Sequence, residues 1–106
     1  MDRYQELTEQ FHDNAGIDHA GTKQDQMLWI SMLTEELGEL ADAVNDDRGD
    51  EALAEELADV VVVSFGMARI CGIDLREAFE DVMATNMEKS GSTHESGKVV
   101  DDAGDD

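Results

Sequence analysis

Apolar residues return every three or four positions along most of this chain, the period of an amphipathic helix. Tyr4, Leu7 and Phe11 open the series and predict a helix over 2–14. The stretch 14–23 is a loop, punctuated by Gly16 and Gly21. A second helix is predicted over 24–45, where Trp29 leads into a stripe of Leu33, Leu37, Leu40 and Val44. After a short polar turn, 45–50, a third helix over 51–71 carries Leu53, Leu57, Val60 and Ala68, with Ser64 interrupting. Gly72 suits the left-handed residue that follows a helix end. Asp74 and Glu77 have the spacing of a capping box, and open a fourth helix over 75–90 with Leu75, Ala78, Phe79, Val82 and Met83 on one face. The β-branched run 60–63 lies inside this helical period, so it is read as helix. Four helices with short connections and no proline predict an all-α, four-helix bundle-like protomer spanning 1–90. The remainder, 91–106, reads as an acidic, mobile C-terminal tail, ordered in part around Val99 and Val100.

A chain of 106 residues is one domain with a modest core, which gains from oligomerisation through helix packing. No apolar run approaches the roughly 18–20 residues of a membrane span, and the N-terminus, MDRYQELTEQ, lacks the apolar stretch of a signal peptide. Cys71 is the sole cysteine, which leaves no disulfide framework and no thiolate metal cluster. These features point to the cytoplasm.

Charge narrows the partners further. The formal net charge is −20, from 27 acids against 7 Lys and Arg. No basic patch is available for nucleic-acid phosphates, and an anionic membrane surface repels such a chain. Acids on every surface segment, with three lysines in all, suggest a halophilic protein; the plainer reading is an ordinary acidic protein with an acidic tail.

The acids are also patterned. EELGEL at 35–40 and EELADV at 55–60 are one hexamer written twice, 20 residues apart. With Leu37 set near the centre of the second helix's stripe, about 100° per residue sends Glu35 and Asp42 to the solvated side. Glu36 and Glu39 fall on the flank of the stripe. In the third helix Glu55 points away, and Glu56 and Asp59 take the flank. Each helix therefore offers two carboxylates at i, i+3, about 5–6 Å apart at Cβ. A short connection makes the helices antiparallel, so the two flanks converge. Four carboxylates in a partly apolar setting need water, protons or a divalent cation between them, and an all-oxygen site favours Mg²⁺ or Mn²⁺ over Zn²⁺. In so acidic a chain one such pair is an ordinary solvated face; two in matching register are harder to dismiss.

EELGE followed by EELAD resembles the EExxE and ExxD signature of the MazG-type all-α nucleoside triphosphate pyrophosphohydrolases, a group that includes phosphoribosyl-ATP pyrophosphohydrolase-like proteins. WISMLTEELGELADAV and GIDLREAFEDVMATNMEKSG are similar to the family's second and fourth helices, and the likeness covers roughly 24–91. The resemblance implies a helical bundle that forms a homodimer or homotetramer. It implies Mg²⁺-dependent cleavage of a nucleotide between its α and β phosphates, giving a monophosphate and pyrophosphate. It assigns metal binding to Glu36, Glu39, Glu56 and Asp59; independently, an acid not fully committed to metal, Glu36 or Glu39, could accept the proton of the attacking water. The alternative is a non-catalytic acidic helical interaction module.

Asn86 and Lys89 continue the fourth helix's stripe, where apolar side chains are expected. They either line the substrate pocket, with Lys89 meeting phosphate, or lie exposed past the bundle's end. Val82 stands where some relatives place a further basic residue. Trp29 sits beside the acidic flank and either stacks on a base or fills core volume. His12, His19 and His94 have no metal-ligand spacing, and no Glu-x-x-His starts from the glutamates of either acidic hexamer, which argues against a di-iron bundle. Methionines at helical positions read as core filler.

Charge at this density makes salt a variable of folding. The Debye length is about 30 Å at 0.01 M and about 3 Å at 1 M. Dialysis into millimolar buffer is expected to lower the melting temperature and return to molar KCl to restore it. Thermal melts across a KCl series check this, and a melting temperature indifferent to KCl contradicts the halophilic reading.

Overall fold

A computed structural model describes residues 2–92. It contains four helices: α1, Arg3–Ala15; α2, Lys23–Asn45; α3, Asp50–Ile70; and α4, Leu75–Ser92. Their bounds lie within two residues of those predicted, and the run 60–63 is helical. The fold is all-α. Gly91 and Ser92, the first residues of the segment expected to be a tail, belong to α4. Val99, Val100 and the rest of that segment, from 93, lie outside the described residues.

Local chemistry explains the helix ends. Asp2 and Gln5 form a capping box. The Asp2 carboxylate accepts from the Gln5 backbone N–H at 2.9 Å, and the Asp2 N–H donates to Gln5 Oε1 at 3.1 Å. At α2, Thr22 Oγ1 accepts from the Asp25 N–H at 3.1 Å. Gly49 precedes α3 at φ 97 and ψ 173, a region open almost only to glycine, and so sets the corner between α2 and α3. Past α3, the Ile73 N–H donates to Ala68 O at 2.9 Å around a left-handed Gly72. Asp74 Oδ1 accepts from the Glu77 N–H at 3.1 Å, as the capping spacing predicted.

The chain divides between Ile73 and Asp74 into two units. In the first, α3 packs against both α1 and α2. Its buried centre is small: Trp29, Ala43, Ala68 and Ile70, with His12 among them. Gly66 on α3 lets Trp29 of α2 lie against the helix backbone, because a Cβ there would collide with the indole ring. In α4, taken by itself, Leu75, Ala78, Met83, Asn86 and Lys89 are half-buried, while Phe79 and Val82 on the same side are 63% and 57% exposed.

One expectation fails. Leu37 and Leu57, taken as stripe centres, are each 50% exposed. The face that α2 turns to α3 is instead Trp29, Leu33, Glu36, Leu40 and Ala43, and α3 answers with Glu56, Val60, Val63 and Met67. Each helix carries a second apolar edge that the single chain leaves uncovered, and hydropathy does not distinguish the two.

The Gly66 contact makes a paired prediction. Gly66→Ala is expected to destabilise the fold by about 1–3 kcal/mol through overpacking against Trp29. Gly38→Ala, at a helical site with open space around the new Cβ, is expected to stabilise by about 1 kcal/mol. Urea denaturation of both variants reads the contrast.

Candidate metal centre

The helix pair α2–α3 is antiparallel about the corner at Asp47 and Arg48. Trp29 and Gly66 are equally far from that corner along the chain. So are Glu36 and Asp59, and so are Glu39 and Glu56. The contact that seats Trp29 on Gly66 therefore sets a register in which the two acidic hexamers meet. That is why the motif recurs with its acids at these spacings: an antiparallel hairpin brings the i, i+3 pair of one helix opposite the i, i+3 pair of the other.

Glu36, Glu39, Glu56 and Asp59 each present a carboxylate oxygen, and the four atoms lie within 4.8 Å of one another. Glu36, Glu56 and Asp59 are half-buried, and Glu39 is exposed. Among the described residues no other group of three or more His, Cys, Asp or Glu side chains comes together in this way. All four members are those named from sequence. Their placement differs from the expectation, though. Glu36 and Glu56 stand at the centre of the interhelical face and not on its flank.

Burial has electrostatic consequences. Oε1 of Glu36 and Oε1 of Glu56 are shut off from solvent and have no hydrogen-bond partner. A buried acceptor without a donor is costly. Burial raises the Glu36 carboxyl above the usual carboxylate range, and the charges of Glu39, Asp59 and Glu56 push it further. Burial likewise raises Glu56, with Glu39, Asp59 and Glu55 adding to the effect and Arg48 opposing it. Arg48 was not anticipated from sequence. It lies at the corner, its guanidinium 3.0 Å from Asp46, and a lone cation between acid-rich helix ends was the available signal.

Orphaned, buried oxygens on converging carboxylates are the donor set of a hard divalent cation, which takes oxygen ligands and supplies the missing positive charge. The residues present fit such an ion. Glu35 is exposed and turned away, as expected. Trp29 occupies the core. At 4% exposure, with its indole N–H donating to His19 Nδ1 at 2.9 Å, it offers no open ring face to a base. Asn86 and Lys89 belong to α4, in the second unit, and are half-buried there.

Comparison with known proteins agrees with this geometry. Residues 24–97 match the family described as the MazG nucleotide pyrophosphohydrolase domain. A dATP/dGTP diphosphohydrolase of Cyanophage S-2L is 33% identical over 70 residues, which are 66% of this chain and 62% of that protein. The chain thus spans less than two thirds of that relative's length. No solved structure matches. Among the described residues, no helix is long and apolar enough to cross a membrane.

The pKa directions carry a sign. Glu36 and Glu56 hold protons more tightly folded than unfolded. Their contribution to stability is present below the unfolded carboxyl value of about 4.3 and is lost as pH rises through the raised folded values. In chelator, Glu56→Gln is therefore expected to melt above the wild type at neutral pH, with the gap shrinking toward about pH 4. Added Mg²⁺ is expected to stabilise the wild type, by about 2.7 kcal/mol at about a hundred times Kd, and the variant by much less. Equal melting in chelator and equal response to Mg²⁺ would remove the case for a cation site.

Proposed function

The chain belongs to the MazG nucleotide pyrophosphohydrolase family, and on that premise we propose that it hydrolyses a nucleoside triphosphate, or a related nucleotide, between the α and β phosphates. The products are a nucleoside monophosphate and pyrophosphate. The observation that carries the reading is the meeting of Glu36, Glu39, Glu56 and Asp59 within one small volume. The name of the cyanophage relative makes dATP and dGTP the first substrates to try.

Glu36, Glu39, Glu56 and Asp59 would hold the divalent cation, Mg²⁺ with Mn²⁺ as a substitute. Bound there, it would supply positive charge that offsets the repulsion between a polyanionic triphosphate and the four carboxylates and favours attack by water. The chain's own part is to fix those carboxylates on two packed helices and to accept a proton from the attacking water. Glu36 is half-buried, its carboxyl raised by burial and neighbouring charges; Glu39 is exposed to water. These two share the catalytic assignment. Asn86 and Lys89 are assigned to the phosphates, since they carry an amide and an ammonium on the apolar side of α4.

We read the active form as a homodimer or homotetramer. Leu37, Val44, Leu57, Val61 and Val62 are all exposed on the single chain, and contiguous apolar surface on a small protein marks an interaction face. The acid-rich remainder suits high salt, and a nucleotide substrate suits the cytoplasm.

A panel of nucleoside triphosphates with Mg²⁺ in molar KCl, scored for pyrophosphate, tests the reaction. Glu56→Gln is expected to lose more than the roughly 10–100-fold typical of a residue that only supports a ligand, while keeping its helical circular dichroism. Glu35→Gln is expected to change the rate little. Equal losses from both would show that the buried and exposed faces of α2 and α3 are wrongly assigned. No pyrophosphate from any substrate would overturn the proposed reaction.

A further inference from the structure

His12 is the most enclosed side chain in the described protein, 1% exposed, and it is polar. It comes from the last turn of α1 and sits where all three helices of the first unit meet. From α3, Arg69 Nη1 lies 3.3 Å from His12 Nδ1. A guanidinium has no acceptor, so it donates, and Nδ1 must hold a lone pair. His12 is therefore a neutral imidazole with its proton on Nε2. That second nitrogen faces Gly66, where an added Cβ would come within 3.1 Å. From α2, the Trp29 ring lies 5.4 Å from the imidazole, centre to centre.

The groups around it decide what a second proton would do. Arg69 brings a permanent positive charge from α3, and its Nε is buried without a hydrogen-bond partner. His19, from the loop between α1 and α2, meets Trp29 edge-on at 6.1 Å between ring centres. It accepts from the indole N–H through Nδ1, which makes it a second neutral acceptor in this arrangement. The opposing charge is Asp13, on α1 itself, whose exposed carboxylate is 3.9 Å from Arg69. α2 contributes Trp29, which is uncharged. A proton on Nδ1 would set N–H against N–H beside the Arg69 cation, with the imidazole itself buried.

We propose that His12 is a pH-sensitive fastener that holds α1 to the α2–α3 pair when neutral and releases it when protonated. Elsewhere α1 meets α3 through Tyr4 and Phe65, 6.1 Å apart between ring centres, beside an open apolar groove of about 390 Å³ lined by Leu7, Phe11, Val61 and Val62. Freeing α1 would expose that side of α3 while the α2–α3 pair keeps the carboxylate cluster, whose four members all lie outside α1. The direction of the His12 titration agrees: burial first, then Arg69 and His19, lower it, with Asp13 opposing. A lowered histidine contributes stability above its unfolded value of about 6.5, and that stability is lost as pH falls below it.

The test uses the full chain at fixed KCl in two measurements. Thermal melts of wild type and His12→Gln are compared from about pH 8 to about pH 5. Gln keeps an acceptor for Arg69 but cannot titrate, and the carboxylate cluster titrates in both proteins and cancels. The wild type is expected to lose melting temperature relative to His12→Gln as pH falls; parallel curves overturn the proposal. Amide exchange on the wild type, corrected for the intrinsic pH dependence of exchange, needs no variant to fold. Opening of α1 is expected to rise by up to about tenfold per pH unit below about 6.5, while the α2–α3 amides near the carboxylates stay protected. Equal changes in all three helices would likewise overturn it.

Discussion

Repulsion among four carboxylates at the middle of the α2–α3 contact is the constraint around which the first unit is arranged. The centre of an interhelical face is where a small protein ordinarily buries leucine. Here that position is held by Glu36 and Glu56, so it cannot supply apolar burial. Packing is displaced toward the ends of the pair. On one side Trp29 lies against the bare backbone at Gly66, reinforced by Ala68, Ile70 and His12; on the other Ala43 closes the corner. The site is affordable to the fold because both ends of the hairpin are tightly held.

The same trade explains the surface. Leu37 and Leu57 follow the two central glutamates by one residue, and both point out of the single chain. Had they faced each other, the acids would have pointed to water and remained ordinary solvated charges. Turning each helix so that the glutamates face inward sends the leucines outward. The buried charge and the exposed leucine are thus two results of one rotation, and an apolar partner surface is the natural cover for the second.

Much of this was legible in the sequence. Helix bounds followed from signals a few residues long, such as Gly72 after α3 and Asp74 with Glu77 before α4. The clustering of the four carboxylates followed from i, i+3 spacing and a short antiparallel connection, because both are local geometry. Which side of each helix faces inward was misjudged by most of a quarter turn. Hydropathy ranks residues by preference for apolar surroundings, and it cannot tell a leucine buried within the chain from one left on its outside. The surroundings of His12 were invisible for a related reason. Nothing near it in sequence marks it as buried; Trp29, Gly66 and Arg69 enclose it only once three helices have met. Trp29 was left between two roles until those neighbours were in place.

The corner at Asp47 and Arg48 has one more consequence, for the order of assembly. Every proposed ligand lies on a single helical hairpin, between residues 36 and 59, so the site requires no chain segment from far away. Closing a connection this short costs little chain entropy, and contacts of small sequence separation form early. The carboxylates then meet while the hairpin is still bathed in water, where their repulsion is weak. It grows as α1 brings His12 onto Trp29 and the interior dries. Folding on this route meets its electrostatic cost last, so a cation available at that final stage would act on completion of the native state and not on its initiation.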